Sequence, residues 1–282
     1  MPDRQLEVLV DGLAFPEGPR WHQGRLFFSD MHAGKVMAVD LAARLIDVAE
    51  VPYRPSGLGW LPDGHLLVVS MLDRKVMRVD GDTLTVHADL SELASGLCND
   101  MVVDASGRAY VGHFGFDLYA REPRKPAEVI RVMPDGGAGI AAGNLEFPNG
   151  SVITPDGKTL IVAESWGRRL TAFDIGANGA LKGRRIWAEL GETVPDGIAL
   201  DAEGAIWVAS PNQSAAIRVF EGGRVAERIS TDQRAFACAL GGDDRRTLFL
   251  LTADSSEPER CRTERTGRIE FAVVDAGGAG IP

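Results

Sequence analysis

The sequence predicts an all-β chain folded as one six-bladed β-propeller over residues 1–282. Three observations carry that prediction. A unit made of a short apolar strand, a tight glycine turn and a second, more hydrophobic strand recurs six times in order. With Glu17, Ser56, Asn99, Asn149, Asp196 and Ala237 taken as equivalent points, the spacings are 39, 43, 50, 47 and 41 residues, close to the roughly 40 to 50 expected of a propeller blade. Helical periodicity is sustained nowhere, and its nearest approach is Asp89 to Gly96. A β-sandwich would have a single core and no such period.

The elements follow in chain order. Leu6 to Val10 is an apolar run ahead of the first unit. Ring closure predicts that it joins the last blade beside Ile269 to Val274, hiding two sheet edges at once. The units then read FPEGPRWHQGRLFFSD from Phe15, RPSGLGWLPDGHLLVVS from Arg54 and LCNDMVVDASGRAYVGH from Leu97. They continue as FPNGSVITPDGKTLIVAES from Phe147, VPDGIALDAEGAIWVAS from Val194 and a weaker AFACALGGDDRRTLFLLT from Ala235. Gly24, Gly64, Gly107, Gly157 and Gly204 occupy one slot between the first and second strands, which makes each pair an antiparallel hairpin. Alternating runs such as KVMAVD, KVMRVD, EVIRVM, RLTAFD and AIRVFE supply a further strand to each blade. The third interval is the longest and contains the basic run Arg121 to Lys125, expected as a surface loop or, more sharply, as a lid over the channel mouth. The tail AGGAGIP is expected to be flexible.

Composition narrows the partners. Hydrophobic residues make up 45% of the chain, enough for a large core, and the formal charge is -10. That charge argues against nucleic acid and leaves room for a cation or a neutral small molecule. The N-terminus MPDRQLEVLVDG has no apolar signal core, and no run of 18 apolar residues exists, so no membrane association and a cytoplasmic location are expected. Cys98, Cys238 and Cys261 are too few and scattered for a disulfide framework and read as buried, inert thiols. Oligomeric state is not readable.

Register separates one Pro-Asp-Gly from the others. Pro62-Asp63-Gly64 and Pro155-Asp156-Gly157 sit in the turn slot, but in the fifth unit that slot holds Ala202-Glu203-Gly204. Asp196 therefore lies one strand earlier, at the phase of Glu17, Asn99 and Asn149. First strands of propeller blades line the central channel, so these residues converge on one mouth, with Asp100 beside Asn99. Two carboxylates and two carboxamides without thiolate or imidazole form a hard-oxygen set that suits Ca²⁺ above Mg²⁺ and is poor for zinc or copper. Any one of the motifs alone reads as a turn at a strand start. Four oxygen-bearing side chains at one phase ask for more.

These residues resemble the family of gluconolactonase, senescence marker protein (regucalcin) and the luciferin-regenerating enzyme. The resemblance covers nearly the whole chain and is weakest in the sixth unit. Its most specific pieces are PEGPRW at Pro16, Asn99-Asp100, Pro148-Asn149-Gly150 and PDGIALDAEGAIWVA at Pro195. It implies a six-bladed propeller with a divalent metal held by Glu17, Asn149 and Asp196. Ca²⁺ is the ion commonly implied, with Zn²⁺, Mn²⁺ or Mg²⁺ as alternatives. It also implies Asp196 as proton acceptor and donor, and Asn99 as a substrate contact. Two departures bear on substrate. Leu97 stands where sugar-lactone members commonly have Arg, and a family Glu that holds substrate hydroxyls falls by counting on Asp117. Leu97 exchanges polar recognition for apolar contact, so a less polar lactone or ester is expected, with Phe114, Phe116, Trp166 and Cys98 as wall candidates.

The resulting expectation is a metal-dependent hydrolase opening a lactone or related ester, the metal polarising the carbonyl and Asp196 moving the proton. Alternatives are phosphotriester or fluorophosphate hydrolysis on the same metal, and a calcium-binding propeller without catalysis. No G-x-S-x-G, H-E-x-x-H or glycine-rich phosphate loop is present. Of the five histidines, His113 is the substrate-contact candidate, set against a packed strand position. His22, His32, His65 and His87 read as surface residues.

Overall fold

A computed structural model describes residues 4–279. The five turn glycines Gly24, Gly64, Gly107, Gly157 and Gly204 all adopt φ between 69° and 89°, a region that costs glycine nothing because it has no Cβ. Each reverses the chain between two strands, and the alternation of the third and fourth runs completes a four-stranded sheet.

Strand β1 (Glu7–Leu13) precedes the units. Blade one is β2 (Pro16–His22), β3 (Arg25–Asp30), β4 (Lys35–Val39) and β5 (Leu45–Glu50). Blade two is β6 (Pro55–Trp60), β7 (Leu66–Ser70), β8 (Lys75–Asp80) and β9 (Thr83–Asp89). Blade three is β10 (Cys98–Val103), β11 (Ala109–His113), β12 (Ala127–Val132) and β13 (Ala138–Leu145). Blade four is β14 (Pro148–Ile153), β15 (Thr159–Glu164), β16 (Arg169–Ile175) and β17 (Leu181–Glu189). Blade five is β18 (Ile198–Leu200), β19 (Ile206–Ser210), β20 (Ala215–Val219) and β21 (Val225–Ser230). Blade six is β22 (Arg234–Gly241), β23 (Thr247–Ala253) and β24 (Gly267–Val273), with β1 as its fourth strand.

The six sheets form a six-bladed β-propeller. Inner strands β2, β6, β10, β14, β18 and β22 each touch the next, and β22 returns to β2. Strand β1 pairs antiparallel with β24, Glu7 opposite Phe271 and Leu13 opposite Gly267, so the ring is held by the two ends of the chain. The core lies between blades as layers such as Leu67, Val69, Met101 and Val111. Cys98, Cys238 and Cys261 are free and buried, and burial pushes the first two thiols up to about 12 and the third to about 11. Among the described residues no helix is long and apolar enough to cross a membrane.

Two expectations are corrected. The α-helix is α1 (Pro258–Glu264), while Asp89 to Gly96 is a strand end followed by turns. Glu257 caps α1 by accepting from the amides of Glu259 and Arg260. At seven residues the helix is too short to show a period. The tail is docked as far as it is described: Ala276 is buried, Gly278 bridges to Asp201, and Ala279 N donates to Leu200 O at 2.9 Å. Residues 280–282 lie outside the described residues.

Candidate functional site

The channel-facing ring is built by a repeated irregularity. Pairing between first and second strands slips between Glu17 and Arg20, Pro55 and Leu58, Cys98 and Met101, Pro148 and Ser151, and Ala235 and Ala237. Such a bulge releases a residue from strict alternation and re-aims its side chain. In blade five β18 begins only at Ile198. Asp196 is held ahead of it by its own amide on Ala209 O (3.0 Å) and by the Gly197 amide on Phe236 O (2.8 Å).

Glycines explain why neighbouring inner strands come so near. A Cβ at Gly57 would fall 2.2 Å from Met101 N, and one at Gly150 would fall 2.6 Å from Ile198 N. Gly18 and Gly197 are equally confined, by Ser56 O and Ala237 Cα. The glycine after the ring residue is therefore required by backbone approach between blades, whereas the turn-slot glycines serve φ. In blade three the same place holds Asp100. Its Oδ1 accepts from Arg20 Nη2 and from Met101 N, both at 2.8 Å, and Arg20 also donates to Met101 O at 2.6 Å. Arg20 is only 4% exposed, and it joins blades one and three, which are not neighbours. The pair thus crosses the channel.

Above these strands opens a cavity of about 300 Å³. Glu17, Asn99, Asn149 and Asp196 are its polar floor, and Phe15, Phe114, Phe147, Phe236, Trp166, Tyr119, Met31 and Met71 make most of its wall. Phe114 stacks on Phe147 at 4.3 Å between ring centroids, Trp166 meets Phe147 edge-on at 5.5 Å, and Phe15 meets Phe236 at 4.7 Å. Protein surrounds the two floor carboxylates on every side but the cavity. Burial pushes the Asp196 carboxyl up to about 8, a hydrogen bond from Asn149 pulls it back, and the charge of Asp100 raises it again. Glu17 is held well above the usual carboxylate range by burial and by the charge of Asp196.

Among the described residues no three His, Cys, Asp or Glu side chains gather closely enough to hold a metal by themselves. A cation at the floor would draw on Glu17 and Asp196 together with carboxamide oxygens. Two neighbouring carboxyls held above their usual range, Glu17 in part by the charge of Asp196, are the electrostatic counterpart of a cation site, and an all-oxygen set suits a hard divalent ion.

The structure brings Glu17, Asn99, Asn149 and Asp196 to one cavity; Ser56 stands behind them, its hydroxyl 3.5 Å from Asn99 Oδ1. It does not bring Leu97, Asp117 or His113 there. Leu97 packs against the aromatic cluster from outside the cavity. Asp117 turns back on its own loop, its Oδ1 accepting from the amides of Tyr119 and Ala120, both at 2.9 Å. His113 is fully buried, with Nε2 2.9 Å from Glu128 Oε2 and Nδ1 accepting from Gly115 N. Counting along the chain reached these positions but could not tell which way each side chain would turn, two of them being in loops and His113 at the end of β11. Phe114 and Trp166 line the cavity while Phe116 and Cys98 do not. His32 is buried against Phe15, against the surface role expected for it.

Arg121 to Lys125 are exposed, yet their loop also roofs the cavity through Leu118 and Tyr119, with Arg124 4.0 Å over the Trp166 ring and Arg54 5.0 Å over Tyr119. Sequence reasoning missed Arg20 and Ser165. Ser165 Oγ accepts from Asn149 Nδ2 at 3.2 Å and donates to Pro195 O at 2.7 Å, tying blade four to blade five at the floor. Serines near the ends of second strands, Ser29, Ser70, Ser165 and Ser210, were the available signal. Ser29 and Ser210 likewise donate to carbonyls, of Ser56 and Val194.

Fold and site together define a six-bladed propeller with an acid-and-amide floor beneath an aromatic small-molecule cavity. Residues 15–254 match the family described as SMP-30/gluconolactonase/LRE-like region, and the chain belongs to that family. It is 25% identical to regucalcin of Xenopus laevis, covering 97% of this chain and 95% of the relative. It is 24% identical to 6-deoxy-6-sulfogluconolactonase of Pseudomonas putida, over 94% and 93% of the two chains. The crystal structure of a calcium-binding protein, regucalcin, from Agrobacterium tumefaciens superposes with a TM-score of 0.81 at 22% identity, covering 98% of this chain and 95% of that one, and shares the fold.

Proposed function

We propose that this chain is a divalent-metal-dependent hydrolase that opens a lactone or related carboxylic ester, with Asp196 as general base and acid. One observation carries the reading: Glu17 and Asp196, half-buried at the base of a cavity of small-molecule size, both have their carboxyls pushed above the usual range. Family membership is consistent with lactone hydrolysis, and a sulfogluconolactonase and regucalcins stand among the relatives. Glu17, Asn149 and Asp196 would hold the ion, Ca²⁺ by preference, which when bound polarises the substrate carbonyl and offsets charge developing on its oxygen.

The remaining work belongs to side chains. Asp196 accepts a proton from the attacking water and returns it to the leaving alkoxide. Asn149 is oriented by Ser165, which is fastened to Pro195 O beside Asp196. The Asn99 Nδ2 is buried with no partner and offers a donor to a substrate oxygen. The Arg20–Asp100 pair acts on Glu17 with both signs: the charge of Asp100 raises its proton affinity and that of Arg20 lowers it.

The test is hydrolysis of sugar lactones, alkyl lactones, aryl esters and phosphotriesters with Ca²⁺, Mn²⁺, Zn²⁺ and chelator, in the natural chain and in Asp196→Asn. Loss of lactone opening on chelation and in the variant is expected. Full activity after chelation removes the metal from the reading, and full activity in Asp196→Asn removes the base. Preferential turnover of phosphotriesters would reassign the substrate, and tight Ca²⁺ binding with no turnover would leave a binding propeller.

A further inference from the structure

We infer that the cavity selects a lactone or ester with an aromatic or alkyl body over a polyhydroxylated sugar lactone; this rests on the hydrolase reading and narrows its substrate class. The argument is an account of hydrogen-bonding groups. A sugar lactone with four hydroxyls needs wall groups that both give and accept hydrogen bonds, because each hydroxyl left unpaired in a buried site is penalised.

The polar side chains of the wall nearest the floor are already engaged. Ser165 Oγ is spent on Asn149 and Pro195 O. Asn212 Oδ1 accepts from Val194 N at 2.9 Å and Ser210 Oγ at 2.8 Å, and its Nδ2 donates to Glu192 O at 2.9 Å. The Tyr119 ring is covered by the Arg54 guanidinium at 5.0 Å, and the residue stands exposed at the mouth. Among the described residues, Asn99 Nδ2 and Trp166 Nε1, on two residues that line the cavity, are buried without a partner, and both are donors. Arg234, at the exposed rim, donates too.

Past the polar floor, then, neutral oxygens on the wall are few: Ser165 and Asn212 are engaged within the protein, and the Ser256 and Tyr119 hydroxyls belong to exposed residues at the mouth. The rest is aromatic surface: the Phe114–Phe147–Trp166 wall and the Phe15–Phe236 pair. A flat or aliphatic body carrying one or two acceptor oxygens, namely the ring oxygen and carbonyl of a simple lactone, leaves little to be paired along that wall. A sugar would set most of its hydroxyls against ring faces and methionine side chains, where a hydroxyl without a partner is penalised.

The experiment compares kcat/KM for 3,4-dihydrocoumarin, δ-nonalactone and D-glucono-1,5-lactone on the full chain with Ca²⁺. The two apolar lactones are expected to lead by about 100-fold or more, the scale on which an apolar pocket rejects an added hydroxyl. Met71→Gln, which places an acceptor on the wall at nearly constant volume, is expected to narrow that ratio. Met31→Gln serves the same purpose should the first variant lose its cooperative melt. Metal-dependent opening of the sugar lactone at an equal or higher rate overturns the substrate class and leaves the hydrolase reading standing.

If no lactone is opened with any ion, the hydrolase reading fails, and calorimetric titration decides the cavity's preference. Binding of 3-(2-hydroxyphenyl)propanoate at least tenfold tighter than gluconate upholds it, and equal or weaker binding overturns it.

Discussion

Asp63, Asp156 and Asp196 share the tripeptide Pro-Asp-Gly and carry opposite perturbations. The exposed Asp63 is held below the usual range by the His65 side chain and amide, and Asp156 by the Thr154 hydroxyl and the Lys158 amide. Asp196 is pushed up to about 8 by burial. A turn aspartate stabilises its turn as an anion; Asp196 destabilises the metal-free fold when ionised. Asp196→Asn is therefore expected to lower kcat by roughly 10²- to 10⁴-fold, the usual contribution of a general base, while raising the melting temperature of chelated protein near pH 8. Steady-state kinetics and thermal melts check the two halves separately. The sign with pH follows from the raised value. The folded carboxyl binds its proton more tightly than the unfolded one, so its contribution is full below about 3.8 and is lost as pH rises through about 8. Chelated protein is expected to lose melting temperature from about pH 4 to about pH 8 relative to Asp196→Asn. The rise on adding Ca²⁺ is expected to grow over the same range, because cation and proton compete for one site. A Ca²⁺ shift independent of pH would contradict that competition. The ring residues were legible because each carries an oxygen at one phase of the repeat. Leu97, Asp117 and His113 stand apart from that cavity because position along the chain does not reveal which way each side chain turns.

Two features tie the blades together at the scale of single elements. The glycines after the ring residues let inner strands touch, so Gly150→Ala is expected to cost about 1 to 3 kcal/mol, the range for forcing atoms into a packed site. Because Asn149 and Asp196 flank the contact, activity should fall more than stability predicts; urea melts and kinetics on one preparation check this. Glu164 closes β15 in full burial, accepting from the Glu146 amide at 2.7 Å, from Arg169 at 2.9 and 3.0 Å, from Arg184 at 3.2 Å and from the Thr171 hydroxyl. Burial pushes its carboxyl up, but the bonds from Arg169 and Thr171 outweigh that and hold it below the usual range. Glu164→Ala strands Arg169 and is expected to cost about 3 to 5 kcal/mol in chemical denaturation, the scale for breaking a buried pair from one side. Strand, turn and period were readable here from glycine and proline placement. Helix α1 and the Glu164 network were not, since a seven-residue helix has no measurable period and a buried carboxylate looks like any other Glu until its partners are assembled.

A propeller has no central core to hold it shut, and in this molecule closure rests on β1 lying against β24. Removing residues 1–13 would expose the β24 edge beside blade one. The truncated chain is expected to aggregate or melt without cooperativity, checked by size-exclusion chromatography and circular dichroism. A truncated protein that stayed monodisperse and cooperative would show that inter-blade packing alone closes the ring. The sequence by itself determined the architecture and the phase of the ring, because a blade is a local object: its strands, glycine turns and apolar alternation are neighbours along the chain. It also determined that the ring would be rich in oxygen donors. Only the tertiary structure decided that Arg20 reaches Asp100 across the channel, that Ser165 orients Asn149, that an aromatic wall stands over the floor, and that burial rather than turn chemistry governs Asp196. Arg20 and Asp100 are 80 residues apart on different blades, and Ser165 and Asn149 are 16 apart across one hairpin; burial is a property of the closed ring that no single repeat contains.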